Sequence, residues 1–332
     1  MSRSTELLRS LPICTLGILG LCIGLHVLLL ALDWDLQQFT MCPRLVLYLH
    51  EWYRVITGAL FHANLMHIGM NMMSTFGIST LLEKRLGTLR HLLSTLWAIL
   101  LTSLIYLGVS YALFLFLGET KWMYQHSVGF SGILFHMTVL ECNLSTTRSR
   151  SLFGFVNVPT YLYPWALLIL LQMFMPNLSF LGHLSGILTG TLQSYGSLDV
   201  LFVSEAYLQE MESWSTLQWL VRQPNFVATP SGSSRLFQES NSLGRSICNG
   251  VGMVVKFVRD LFETLGVCVF GRGRSLNSNI QLRGTPTAWP SGGRTVGVGS
   301  AVEDVEDDQD WNGLPSPSSM AAQERVPLSR IV

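Results

Sequence analysis

The chain has 332 residues, 49% of them hydrophobic and only 13% charged, with 21 basic and 21 acidic side chains. A soluble domain carries about 25% charged residues, and nucleic-acid surfaces need a basic excess. The composition therefore excludes an ordinary soluble domain and gives no electrostatic basis for nucleic-acid binding.

The apolar residues crowd into roughly the first 200 positions and thin out afterwards, which reads as a multi-spanning membrane domain followed by a polar tail. Six spans are predicted, at 11–32, 61–82, 92–117, 126–142, 161–176 and 178–195. The first is too long for a signal-peptide core and has no small-residue cleavage site after it, so it reads as a retained span. The segment 33–60 mixes Trp34, Phe39, Tyr48, Trp52 and Tyr53 with polar residues, a composition suited to the membrane interface. The last three spans are marginal in length for ~30 Å of hydrocarbon. Short, glycine-interrupted helices are expected where backbone lines a protein-buried cavity.

With the N-terminus in the cytosol, the inner segments hold Arg3, Arg9, Lys84, Arg85, Arg90, Arg148 and Arg150, and the outer ones Arg44, Arg54 and Lys121. That excess favours both termini inside. The cysteines (Cys14, Cys22, Cys42, Cys142, Cys248 and Cys268) form no CxxC pair and read as buried thiols.

A second region, 198–332, reads as a cytosolic polar tail that is mostly disordered. Its landmarks are Trp214, Trp219, the Ser/Gly run at 231–234 and an acidic cluster from Glu303 to Asp310. The island 251–270 is apolar but carries Lys256, Arg259, Asp260 and Glu263, which argues for an amphipathic surface or partner-binding helix rather than a further span. The membrane domain, 1–197, is expected to supply every group of the site without the tail.

The chemistry-bearing residues recur at matching places in alternate spans. Spans two, four and six all start on the outer face. His62, His67 and Asn71 fall in the opening turns of span two, with Ser131 about one and a half turns into span four and His183 as far into span six. At ~1.5 Å per residue these share a depth of roughly 5–15 Å. Serine becomes a nucleophile when a neutral histidine takes its proton, and the oxyanion that follows needs donors aimed at it. Asn71 and His67 lie on one helix face. Gly129 and Gly132 permit close backbone approach, and Gly182, Gly186 and Gly190 form a small-residue stripe on which span four can pack. Singly, each feature has a plainer reading. A membrane serine usually bonds the carbonyl one turn back, a lone histidine joins a polar network, and a glycine stripe serves helix packing. Histidine and asparagine within a span are costly, however, and together the residues favour function. Gly129-Phe130-Ser131-Gly132-Ile133 is not the GxSxG elbow of soluble α/β-hydrolases.

The set His62-x4-His67-x3-Asn71, Glu83-Lys84-Arg85-Leu86-Gly87, Gly129-Phe130-Ser131-Gly132 and Gly182-His183-x2-Gly186-x3-Gly190 resembles the rhomboid intramembrane serine proteases in order and spacing. Tyr53-Arg54 resembles that family's Trp-Arg motif. The resemblance covers about residues 10–197 and implies an all-α membrane protein, a six-helix bundle with a Ser131–His183 dyad. It implies oxyanion stabilisation by His67, Asn71 and the Ser131 amide, with Gly129 beside them. His62, Arg54, Glu83, Arg85, Gly132, Gly186 and Gly190 occupy supporting motif positions. Leu152 to Pro159, Leu162-Tyr163-Pro164-Trp165 and Gly271-Arg272-Gly273-Arg274 resemble a plant branch of the family; the ubiquitin-associated ending of that branch is not carried over.

The expected activity is cleavage of single-span membrane proteins near the outer or lumenal face, without metal or organic cofactor and with water as co-substrate. Membrane lipid surrounds the domain, and the tail is available to a cytosolic partner. An endomembrane location, endoplasmic reticulum or Golgi, is favoured over plastid. The alternatives are a non-catalytic relative that binds and routes membrane clients, as derlins and rhomboid pseudoproteases do, and a transporter. The first class typically loses the serine or histidine; the second needs intramembrane carboxylates, for which Glu141 is the one candidate.

Overall fold

The computed structural model of the chain describes residues 11–198, 201 and 203–231; the 251–270 island and the acidic cluster lie outside the described residues. Its helices are α1 (Ile13–Ala31), α2 (Pro43–Leu49), α3 (Arg54–Leu60), α4 (Leu65–Leu86), α5 (Thr88–Leu117), α6 (Lys121–Tyr124), α7 (Ser131–Leu144), α8 (Tyr163–Phe174), α9 (Phe180–Ser194), α10 (Glu205–Ser213) and α11 (Gln218–Val221). An antiparallel hairpin of β1 (Ser149–Leu152) and β2 (Val156–Pro159) links α7 to α8.

Helix α7 is the hub. Every residue from Gly132 to Asn143 is buried, enclosed by α4, α5, α8 and α9. Around it the usual polarity is reversed. On α4, Asn71, Thr75, Ser79 and Glu83 recur every four residues on one face and are all buried, while Leu65, Met66, Met73 and Leu81 are exposed. On α9 the buried face carries Ser185, Thr189 and Gln193. Polar groups turned inward find partners that an apolar solvent cannot supply.

Each of the six predicted intervals contains one main helix, α1, α4, α5, α7, α8 and α9. Of these, α1 and α5 are long and apolar enough to cross a bilayer, with mean hydropathies of 2.5 and 2.1. Two boundaries differ from the sequence reading. Helix α4 starts at Leu65, leaving His62 in the preceding turn, because the Asn64 side chain caps the helix by accepting from the His67 amide at 2.9 Å. Helix α7 starts at Ser131 rather than 126, because Ser127 and Met41 exchange both backbone hydrogen bonds at 2.8 Å and hold the approach extended.

The segment 33–60 is also more ordered than an interfacial loop. Arg54 is buried at its centre and donates to the Glu51 carboxylate (2.5 Å) and to the carbonyls of Gln37 (2.7 Å) and Thr40 (2.8 Å), tying the start of α3 to the 37–40 stretch. Trp34, Tyr48, Trp52 and Tyr53 remain on its outside.

Glu83 organises the opposite end of α4. Its carboxylate accepts from the amides of Cys14 (2.9 Å) and Thr15 (2.7 Å), and from the hydroxyls of Thr15 and Thr88, both at 2.8 Å. A carboxylate at a helix N-terminus satisfies orphan amides and the dipole together, so Glu83 caps α1 from another helix. Nearby Arg85 donates to the Leu144 carbonyl at 2.7 Å, closing the C-terminal end of α7.

Residues 203–231 are folded onto this end rather than forming the start of a loose tail. The Asn225 carbonyl accepts from the Ile13 amide (3.1 Å), and the Val227 carbonyl accepts from the Thr88 amide (2.8 Å). Asn225 Nδ2 donates to Leu11 (2.7 Å) and the Val227 amide to the Thr88 hydroxyl (3.0 Å).

Candidate active site

Ser131 is the first residue of α7, and its Oγ lies 2.8 Å from Nε2 of His183. Three local features hold the serine there. The Gly129 amide donates to the Gly58 carbonyl at 2.8 Å. Phe130 is fully buried, with its amide 3.4 Å from Nε2 of His62. The chain then turns into the helix through Gly129, whose φ of 114° is open to glycine and strained for other residues. As the opening residue of the helix, Ser131 has an amide with no acceptor one turn back.

His183 arrives from α9. The Ser179 hydroxyl caps that helix by accepting from the Gly182 amide at 3.2 Å. The imidazole is 4% exposed and rests on the Phe135 ring, centroids 4.7 Å apart. The approach of α9 to α7 sets the serine–histidine distance. A Cβ on Gly186 would overlap the Gly132 backbone, and one on Gly190 would lie 2.8 Å from the His136 carbonyl oxygen. A Cβ on Gly132 would meet the Gly182 carbonyl oxygen at 3.1 Å.

His67 and Asn71 complete the arrangement from α4. A Cβ on Gly129 would sit 2.6 Å from Cε1 and 2.7 Å from Nε2 of His67, and 3.5 Å from Nδ2 of Asn71. Only a hydrogen on residue 129 lets these side chains lie over the serine loop. Both ring nitrogens of His67 and Nδ2 of Asn71 are buried without a hydrogen-bond partner. Buried donors are ordinarily satisfied, so these are aimed at something other than the folded chain. They line, with Ser131 and His183, a cavity of about 380 Å³ whose other walls include Met70, Leu134, Phe135, Leu167, Leu171 and Phe174. An apolar pocket with a few convergent polar groups is the usual form of a ligand site.

The remaining motif positions lie elsewhere. His62 bonds the Leu60 carbonyl through Nδ1 (3.1 Å) and stands edge-on to His67, with centroids 5.3 Å apart, supporting that ring from outside the cavity. Arg54, Glu83 and Arg85 hold the scaffold as described above. Gly129 differs from its expected place among oxyanion donors: its amide is already committed to Gly58, so its contribution is space. Ser131 stands at the start of its helix rather than one and a half turns in.

Several buried polar residues went unnoticed in the sequence. His26 on α1 is buried with both ring nitrogens unpartnered. His136 Nε2 bonds Gln193 Oε1 at 2.6 Å, and Gln193 Nε2 donates to Ser94 at 3.0 Å. Ser79 bonds His91 Nε2 at 2.8 Å and Thr15 at 2.9 Å. Histidines inside apolar segments were the available signal. Cys14, Glu83 and His91 bring donor atoms within 4.8 Å of one another, but the Glu83 and His91 atoms are taken up by the hydrogen bonds just described. Glu141 forms an ion pair with Arg150, which gives that carboxylate a structural partner in place of an ion path.

Residues 49–199 match the rhomboid domain. Rhomboid-like protein 15 of Arabidopsis thaliana is 32% identical over 249 residues, covering 73% of this chain and 61% of that protein. Rhomboid-like protein 14, mitochondrial, of the same plant is 33% identical over 178 residues, 52% of this chain and 53% of that protein. Rhomboid-type serine protease 2 of Gibberella zeae is 28% identical over 229 residues, 68% of this chain and 82% of that protein. The chain thus spans between about half and three-fifths of the two plant relatives. Domain and relatives agree with the motif order: this chain carries a rhomboid domain over residues 49–199, the domain of a family of integral membrane proteins, and resembles plant rhomboid-like proteins.

Proposed function

We propose that the chain is an active intramembrane serine endopeptidase that cleaves single-span membrane proteins through a Ser131–His183 dyad. The observation that carries the reading is the 2.8 Å Ser131–His183 contact opening onto a cavity with unpaired His67 and Asn71 nitrogens. His183, buried beside Ser131, accepts the Ser131 proton as Oγ attacks the scissile carbonyl carbon. The C=O electrons move to oxygen, and the oxyanion is met by Asn71 Nδ2, a His67 N–H and the Ser131 amide. On collapse the C–N bond breaks, His183 protonates the departing amine, and an acyl group remains on Ser131. Water, deprotonated by the same imidazole, then releases the acid.

Helices α1, α4, α5, α7, α8 and α9 serve in this reading as six spans of a membrane domain over residues 1–197, both termini cytosolic. The starts of α4, α7 and α9 then lie together toward the outer or lumenal face, where substrate is cut, and an endomembrane such as the endoplasmic reticulum or Golgi is the proposed location. Lipid and single-span substrates are the partners of this domain.

The test is fluorophosphonate labelling of the purified protein together with fragment mapping of co-expressed single-span proteins. Labelling and cleavage that vanish in Ser131→Ala support the protease; a wild-type protein that neither labels nor cleaves overturns it in favour of a non-catalytic client-binding relative.

A further inference from the structure

The Leu152–Pro159 motif takes no part in this chemistry, yet it forms a defined element, the β1–β2 hairpin. The Phe155 amide donates to the Leu152 carbonyl at 3.1 Å, closing a turn around Phe153 (φ 50°) and Gly154 (φ 81°). Two successive left-handed residues make the tight hairpin turn that ordinarily selects asparagine or glycine at its first position. Phenylalanine there is conformationally disfavoured, and it is not repaid by burial: Phe153 is 62% exposed, Phe155 90% and Val156 58%. An outlier of this kind points to a task performed at the tip.

The hairpin is held firmly. Its root is tied by Thr160, whose hydroxyl donates to the Thr147 carbonyl at 2.7 Å, and by the Arg150–Glu141 ion pair. Leu152, next to the turn, is buried, and both strands lie against α8. Arg150 also stands 5.9 Å from the Tyr163 ring centroid at the start of that helix. The strands are thus fixed to the bundle while the tip stays exposed. Exposed Arg148 stands at the root, and exposed Arg85 sits at the same end of α7, bonded to the Leu144 carbonyl.

We infer that the Phe153–Phe155 tip is a membrane anchor, seated at the boundary of headgroups and acyl chains in the cytosolic leaflet, with Arg148 and Arg85 beside anionic headgroups. Aromatic rings suit that boundary, and basic side chains next to it gain from anionic lipid. A water-facing loop would leave three apolar side chains in a contiguous patch without a partner. The anchor would fix the depth of the α7–α8 connection. The inference rests on the membrane-spanning reading and not on catalysis.

Nitroxide labels at Phe155→Cys, Leu104→Cys and Glu210→Cys would be compared in full-length protein carrying Cys248→Ser and Cys268→Ser, in nanodiscs of mixed phosphatidylcholine and phosphatidylserine. The described native cysteines are buried, and the side chain of Phe155 is nearly free of packing, so the fold tolerates the label. Leu104 is an exposed residue of the long apolar helix α5, and Glu210 an exposed residue of α10. The expected result is high oxygen and several-fold reduced nickel-chelate accessibility at 155, tracking 104 and opposite to 210. Accessibility at 155 that tracks 210 overturns the anchor while leaving the spans in place. A label at 155 shielded from both reagents overturns it in favour of a protein contact. Aqueous accessibility at 104 would overturn the membrane-spanning reading and the anchor with it.

Discussion

Gly186 and Gly132 meet backbone to backbone: a methyl group on Gly186 would overlap the Gly132 carbonyl. Because the obstacle is main chain, it cannot rotate aside, and α9 could accommodate a side chain only by moving away from α7. His183 lies one turn before Gly186, and Ser131 immediately precedes Gly132, so the separation would fall on the 2.8 Å contact between them. Gly186→Ala is expected to cost about 1–3 kcal/mol of stability, as overpacking does, and to lower fluorophosphonate labelling well beyond the fraction unfolded. Labelling that falls only in step with the folded fraction would separate the packing from the dyad.

Ser131→Ala should leave the unfolding midpoint close to wild type, since the lost hydroxyl bonds only the His183 ring in the folded chain. Cleavage should fall by on the order of 10⁴-fold or more, as when a serine nucleophile is removed. Quantified fragment yield from a cleavable single-span protein reads this directly.

Asn71→Ala removes one unpaired donor from the cavity. Turnover is expected to drop by roughly 10²–10³-fold, the usual loss for one oxyanion donor, with little change in KM and none in folding. Wild-type turnover in this variant would assign oxyanion binding to His67 and the Ser131 amide alone.

Glu83→Gln should be destabilising without direct effect on the chemistry. The amide keeps one acceptor oxygen where the carboxylate offered two, and it turns an NH₂ toward groups that donated to Glu83. Leaving a buried donor unsatisfied costs about 1–3 kcal/mol, and the helix-dipole interaction at α1 is lost as well. Thermal unfolding monitored by circular dichroism would register the loss; Ser131 labelling at low temperature should persist in whatever fraction stays folded.

A chain ending at Ser231 should fold and label as the full chain does. One ending at Gly196 removes the Asn225 and Val227 contacts to α1 and α5 and should unfold at lower temperature. The comparison is made by thermal unfolding of both chains in one detergent. Equal midpoints would show that the docked segment contributes nothing to the bundle.

The rhomboid domain and its motifs could be read from the sequence because histidine, asparagine and serine are costly in apolar segments, and their order and spacing are unusual. Apolar runs likewise marked where the six main helices lie, including short ones such as α8. Helix starts were not legible, since Asn64 and the Met41–Ser127 bridge set them through local caps and distant backbone pairing. Nor could spacing reveal that Gly129 spends its amide on Gly58 while giving room to His67, because both partners come from other segments of the chain. Glu83 shows the same division most clearly: its motif position was visible in one dimension, whereas the amides of Cys14 and Thr15 that donate to it are brought there only by packing α1 against α4. Sequence alone determined which groups must be kept from lipid; tertiary structure decided which of them satisfy one another, and left His67 and Asn71 unsatisfied beside Ser131.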